Sequence, residues 1–192
     1  MSTAKAGDRK IQILQLIAQM LEAPKSEKIT TAAIAAKLGV SEAALYRHFA
    51  SKAQMFEGLI EFIEQTLFGI VNQITANETE GLAQAHAITG MLLNFAAKNV
   101  GMTRVLTGDA LVNEDERLQA RMTQLTDRIE ASLKQALRIA ITQEALPANS
   151  DVAAQANVIV CYVLGRWHQF ARSGFKKNPA DGFDKQWALI LR

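Results

Sequence analysis

The chain has 192 residues, 49% of them hydrophobic and 21% charged, the balance of a globular protein with enough apolar material for a real core. A single cysteine, Cys161, excludes an internal disulfide and a cysteine-built zinc site. No apolar run approaches the ~20 residues of a membrane span, and the polar stretch Met1 to Lys10 lacks the apolar segment of a secretory signal. The expectation is a cytoplasmic protein. The formal charge of +2 is uneven, since residues 1–56 hold eight Lys/Arg against four acids and residues 57–192 hold 13 against 15. That asymmetry fits either a polyanion partner at one end or an ordinary solvated surface.

Three prolines, at positions 24, 147 and 179, all fall between periodic segments, the punctuation of an all-α chain. The first helix is predicted over Asp8 to Leu21, with Ile13, Leu14, Ile17, Met20 and Leu21 on one stripe. A polar connection, Ala23 to Lys28, follows. Two short helices, Thr31 to Leu38 and Glu42 to Phe49, are separated at Gly39-Val40-Ser41. Ser51 caps a long helix whose apolar positions run from Met55 to Ile74. Thr75 to Gly81 reads as a turn, Leu82 to Lys98 as a helix, and Asn99 to Gly101 as a break. A short helix, Met102 to Leu106, stops at Gly108. Leu118, Met122, Leu125, Ile129, Leu133 and Leu137 mark a helix over Asp115 to Thr142. A helix capped by Ser150 or Asp151 runs to Ser173, and the last covers Asp181 to Leu191. Within the penultimate helix, Val158 to Val163 has the β-branched composition of a buried strand. No turn residue separates it from its flanks, so length favours a helix apolar on more than one face.

Thr31 to Phe49 carries the chemical information. Ile34, Ala35, Leu38, Val40 and Leu45 surround a glycine placed where a positive φ is expected. The small Ala35 lets a second helix cross the first, and Val40 and Leu45 plug the angle between them. Thr30 or Thr31 caps the first helix and Ser41 the second. The second helix turns Glu42, Ala43, Ala44, Tyr46, Arg47 and His48 outward. This is the form of a helix-turn-helix, whose second helix enters the major groove. An αα-hairpin of a bundle has the same periodicity, but two alanines beside Tyr, Arg and His favour a nucleic-acid face. Short side chains admit base edges, Tyr46 and His48 can donate to phosphates, Arg47 can reach guanine in a bidentate manner, and Lys52 lies at a helix N-terminus.

Gly-Val-Ser-Glu-Ala-Ala-Leu-Tyr-Arg-His-Phe at 39–49, followed by Ser51-Lys52, resembles the DNA-binding domain of the TetR family. The helix pattern resembles that family's all-α homodimer, with an N-terminal three-helix domain and a C-terminal dimerisation domain, about nine helices in all. The expected division is 1–52 and 53–192. Ile29-Thr30-Thr31, Ser41 to Phe49, Gly58 to Glu64, Thr103 to Gly108 and Arg128 to Glu130 resemble the nucleoid-occlusion branch. That likeness implies a dimer that binds chromosomal sites and antagonises the division GTPase FtsZ. It implies DNA contacts at Thr30, Thr31, Ser41, Ala43, Ala44, Tyr46, Arg47, His48 and Lys52, and a partner surface at Phe62, Gln65, Met91, Lys98 and Asn99. Phe62 also reads as core, since it neighbours Ile63 in the apolar run. The chain departs from the branch at Ala50, where a proline is expected, at Ile70 for an arginine, at Asn94 for a glycine, and at Val100 for a proline.

The dimer is expected on the last two helices. Val152, Ala156, Ile159, Val160, Val163, Leu164 and Trp167 cover more than one face, and Phe183, Trp187, Ile190 and Leu191 supply the other half of a four-helix seam. The core dimerisation set is Val160, Leu164, Trp167, Phe183, Trp187 and Ile190. The three histidines, at 48, 86 and 168, form no metal-binding spacing. Gly-rich phosphate loops and nucleophile motifs are missing, so no enzyme, metal or cofactor is expected. Tyr162, Trp167, Phe170 and Phe175 read as core or seam before ligand cavity. Three functions remain compatible with the sequence: a DNA-bound division regulator, a repressor released from its operator by a small molecule, and a constitutive DNA-binding protein. The interior positions, filled by Leu, Ile, Met and Phe, lean toward the first.

Overall fold

The computed structural model describes residues 6–23, 29–112 and 114–191. The polar N-terminal stretch up to residue 5 and the connection at 24–28, with Pro24, lie outside the described residues. Among the described residues there are nine α-helices and no strand. They are α1 (Ala6–Glu22), α2 (Thr31–Leu38), α3 (Glu42–Tyr46), α4 (Lys52–Asn77), α5 (Gly81–Lys98), α6 (Val100–Leu106), α7 (Glu116–Thr142), α8 (Val152–Arg172) and α9 (Phe183–Ile190), with a 3-10 turn at Asp109–Leu111. Among these, no helix is long and apolar enough to cross a membrane.

Side-chain caps set the helix starts. Thr30, Ser41, Ser51, Asp115 and Asp151 each accept a backbone N–H of the helix that follows, satisfying donors that otherwise have no partner. Of the paired candidates, Thr30 caps α2 and Asp151 caps α8. Val158 to Val163 is helical throughout, in the middle of α8.

The helix α3 is shorter than expected, five residues instead of eight. His48 N–H closes a tighter turn on the Leu45 carbonyl at 3.0 Å. The chain leaves the helix there because Ser51 must be extended, at φ −157°, to cap α4 one residue later. Ala50 contributes to this corner: its N–H donates to Gln54 Oε1, a bond that a proline cannot make.

Two glycines expected to break helices lie inside them instead. Gly81 begins α5, and a Cβ there would sit 2.3 Å from the Ala136 carbonyl oxygen of α7. Gly101 is the second residue of α6, and its Cβ would sit 2.0 Å from the Ala18 carbonyl oxygen of α1. Both are places where backbones touch. Thus α4 continues to Asn77, and the break between α5 and α6 is Asn99 alone, at φ −131° and ψ 68°.

The body packs α5 and α7 against each other, α8 against α7 and α5, and α4 against α7 and α5. Ile88, Leu92, Leu133, Ile159 and Trp167 fill its interior, each at most 1% exposed. Trp167 Nε1 donates to the Leu92 carbonyl at 3.1 Å, which removes the cost of burying the indole N–H. The helix α1 lies on α6 and α4, which joins the small N-terminal three-helix unit to the body.

Candidate nucleic-acid interface

The hairpin of α2 and α3 is built around Ile34, Ala35 and Leu45, all buried. Gly39 has φ +67°, in the left-handed region, and its N–H bonds back to the end of α2. Leu45 inserts between the helices, while Val40 is only half-buried. Ile34 and Leu45 of the hairpin belong to the same buried core as Ile13 and Ile17 of α1 and Phe49.

The opposite face of α3 is free. Glu42, Ala43, Tyr46 and Arg47 are exposed, with Ala44 and His48 half-buried. Tyr46 is 45% exposed, large for an aromatic side chain without a protein neighbour to cover it. A cleft between α1 and α3 is lined by Arg9, Ala44, Arg47 and His48 among others, which adds a cation absent from the sequence-based set. The signal available for Arg9 was a cation in the first helical turn four residues before Ile13, in line with the apolar stripe. Lys10 lies over the Phe49 ring at 5.6 Å from its centroid, at the same end.

The remaining expected contacts are placed differently from one another. Thr30 is exposed and spends its hydroxyl oxygen on the Ala33 N–H, 3.1 Å away. Thr31 donates its hydroxyl to Glu42 at 2.6 Å, tying the start of α2 to the start of α3. Ser41 accepts the Ala44 N–H at 3.2 Å. Lys52 is not a free cation: it forms an ion pair with Glu114, just before α7, and lies 5.5 Å from the Phe56 ring centroid.

The expected partner surface is mixed. Gln65 and Lys98 are exposed, whereas Phe62, Met91 and Asn99 are half-buried. Phe62 shares an apolar cleft with Ile11, Leu14, Leu59 and Met102, between α1, α4 and α6. Asn99 donates its side-chain amide to the Phe95 carbonyl at 2.8 Å. Asn94 is exposed and bonds the Gly90 carbonyl at 2.8 Å, and Ile70 is half-buried.

The premise of the dimerisation set, that one subunit cannot bury these residues, does not hold for most of them. Val160, Trp167, Phe183 and Trp187 are 1–8% exposed in the single subunit, so one chain buries them unaided. Ile159 and Val163 are likewise internal, because α8 is covered by α5, α6, α7 and α9. Leu164 and Ile190 are half-buried. The face left open on α8 is a different stripe, Ala154, Val158, Cys161, Gly165 and His168, at three- and four-residue spacing. Val158 is 51% exposed, Leu189 on α9 is 64% exposed, and a Cβ on Gly165 would meet nothing within 4 Å.

Comparison with known proteins matches both parts of the chain. Residues 26–59 fit the description "Bacterial regulatory proteins, tetR family", and residues 79–192 fit an SlmA-like "Tetracyclin repressor-like, C-terminal domain". The nucleoid occlusion factor SlmA of Alteromonas mediterranea is 50% identical over 190 residues, covering 99% of this chain and 97% of that one. The nucleoid occlusion factor SlmA of Idiomarina loihiensis is 50% identical over 183 residues, covering 95% and 93%. Among solved structures, the fatty acid degradation regulator FadR of Bacillus halodurans superposes with a TM-score of 0.83 at 14% identity, over 98% of this chain and 97% of that one. The TetR-family regulator PfmR of Thermus thermophilus superposes at 0.77 with 20% identity, over 94% and 97%.

Proposed function

Since the chain belongs to the TetR family, in its SlmA-like branch, we propose that it is a sequence-specific DNA-binding protein that acts in nucleoid occlusion. It binds chromosomal sites as a homodimer, stays with the nucleoid in the cytoplasm, and restrains division-ring assembly through FtsZ. Residues 1–52 form the reading head and 53–192 the core.

The observation that carries this reading is the open face of α3. Arg47 and Tyr46 stand out beside the small Ala43 and Ala44 and near the cation of Arg9, while the exposed Glu42 is held by Thr31. Arg47 reads a guanine edge, Ala43 and Ala44 meet thymine methyls, and Tyr46 and His48 hold phosphates. Thr30, Thr31 and Ser41 hold the hairpin in shape with their hydroxyls.

The second copy docks on the open stripe of α8 and on Leu189. Gly165 lets two such helices approach closely, and the seam buries on the order of 2,000 Å². The well-filled interior of α5, α7 and α8 favours this output over release by a small ligand. The FtsZ surface includes Gln65 and Lys98, with Phe62, Met91 and Asn99 at its edge. The exposed Asn94 and the half-buried Ile70 adjoin it on the same two helices.

Selection of bound duplexes from a random pool, followed by mapping to a genome, tests the reading. Sites scattered over the chromosome support it, and a lone site beside the protein's own gene supports a repressor instead. Arg47→Ala is expected to lose roughly 1–3 kcal/mol of discrimination at one base pair; unchanged preference makes Arg47 a phosphate clamp. Co-sedimentation of FtsZ polymers with wild type and Phe62→Ala, with and without the selected duplex, tests the output. Wild type that leaves FtsZ unaffected even with DNA bound refutes it.

A further inference from the structure

The cation at the root of α4 is already engaged. Lys52 follows the N-cap Ser51 at the corner between the reading hairpin and the body, where an approaching phosphate also meets the open N–H groups of α4. Its ammonium instead pairs with Glu114, a residue of the segment between α6 and α7 and outside the DNA-reading helices. Both side chains are substantially covered, Lys52 at 22% and Glu114 at 16% exposure, so the pair is less screened by salt than a fully exposed one. Two other acids at this end of the seam, Asp115 and Glu57, share a different cation. Asp115 holds Arg117 at 3.0 Å, and Glu57 of α4 lies 3.7 Å from the same guanidinium. Glu114 is thus the acid that faces Lys52.

We propose that Glu114 is an internal competitor for DNA phosphate, setting the affinity of the head through Lys52. The inference rests on the DNA-binding reading above. A phosphate that takes Lys52 must displace a carboxylate of the same charge. Held by Glu114, Lys52 neutralises no phosphate and releases no counterion from the DNA, so that part of the potential affinity is cancelled. Making that contact would cost one rung of the α4–α7 seam, so the wild type keeps the pair and forgoes the phosphate. The further rungs of that seam, Glu64 with Arg121 and Arg128 at 2.6 Å each, stand two or more turns along α4 and do not take part.

The test is the salt dependence of binding to a labelled mixed-sequence duplex, between about 50 and 200 mM salt, for the full-length protein. Glu114→Gln keeps the shape of the side chain and removes its charge. It is expected to tighten binding about two- to fivefold at the lower salt, the range of a pair of this exposure. The slope of log K against log salt steepens by about 0.9 per subunit, the signature of one added phosphate contact. Lys52→Ala costs less in the wild-type background than in Glu114→Gln, and the double variant returns to near the wild-type slope. A Glu114→Gln protein with an unchanged slope, or with weaker binding, overturns the proposal, the latter by showing that Glu114 presents Lys52 to DNA. Wild type that retains no duplex at any salt fails at the earlier step and removes the DNA reading itself.

Discussion

The outer faces of α3 and α8 both include small side chains, and they differ in what stands beside them. On α3, Ala43 and Ala44 lie among Tyr46, Arg47 and His48, with Arg9 across the cleft. On α8, Ala154, Cys161 and Gly165 lie beside Val158, with the exposed Leu189 of α9 on the neighbouring helix. Small residues decide how near another backbone can come, and the flanking groups decide whose backbone it is. Donors and cations suit a polyanion, whereas an apolar border suits a second helix.

The strongest way to break that comparison is to separate the residues that hold α8 and α9 in the subunit from those that face outward. Trp187 is 8% exposed, so Trp187→Asp removes a core ring and buries a carboxylate. The ring alone is worth about 3–5 kcal/mol, and the protein is expected to unfold or aggregate. Gly165→Arg fills open space and is expected to give a folded monomer with unchanged helical circular dichroism. Sedimentation of both variants decides the matter. A folded, monomeric Trp187→Asp would return Trp187 to the interface, and a dimeric Gly165→Arg would remove the α8 stripe from it.

The next largest effect concerns how the reading head is carried. Gly101→Val places a side chain against the Ala18 carbonyl oxygen, where even a Cβ has only 2.0 Å. The backbones of α1 and α6 must part, at a cost of about 1–3 kcal/mol. Denaturant unfolding is expected to show that loss, together with weaker DNA binding although no residue of the head is changed. Full DNA affinity in this variant would mean that the head needs no fixed seat on the body.

A smaller effect tests the head alone. Thr30→Ala and Ser41→Ala each leave an N–H of the following helix without its cap, at bonds of 3.1 and 3.2 Å. Each is expected to cost about 1 kcal/mol, read from the urea midpoint. Loss of DNA binding without loss of stability in either variant would turn that hydroxyl from a cap into a DNA contact.

The head was the legible part of the sequence because its devices are local. A cap acts within three residues and Gly39 within one turn, so spacing alone identifies them. Burial along α8 was not legible because periodicity reports which positions are apolar and not what covers them. Val160 and Trp167 are covered by the chain's own α5 to α7 layer, which sequence spacing does not contain. Gly81 and Gly101 were read as breakers for the same reason, since the backbones they admit come from α7 and α1. The pairing of Lys52 with Glu114 spans 62 positions and leaves no local signal.

The smallest expected effect lies at the border of the α8 stripe. Asn157, exposed one turn before Cys161, donates to Glu130 of α7 at 3.2 Å, and Lys134 pairs with the same carboxylate at 2.6 Å. Lys134 first, and Asn157 second, hold the Glu130 carboxyl below its ordinary value of 4.5. A depressed carboxylate contributes stability above its unfolded value and loses it as the pH falls through the folded one. The window is therefore acidic, beginning near 4.5 and extending below it. The pair lies at the surface, so its contribution is small and shrinks with salt. Wild type is expected to unfold at slightly higher urea than Glu130→Gln near neutral pH, with the gap closing below that value. A second copy seated on α8 would cover Asn157 and shield the pair from solvent. The gap should then be wider in the dimer than in the same comparison made on the Gly165→Arg background. Equal gaps in the two backgrounds would place Asn157 outside the seam and confine the second copy to the half of α8 beyond Cys161.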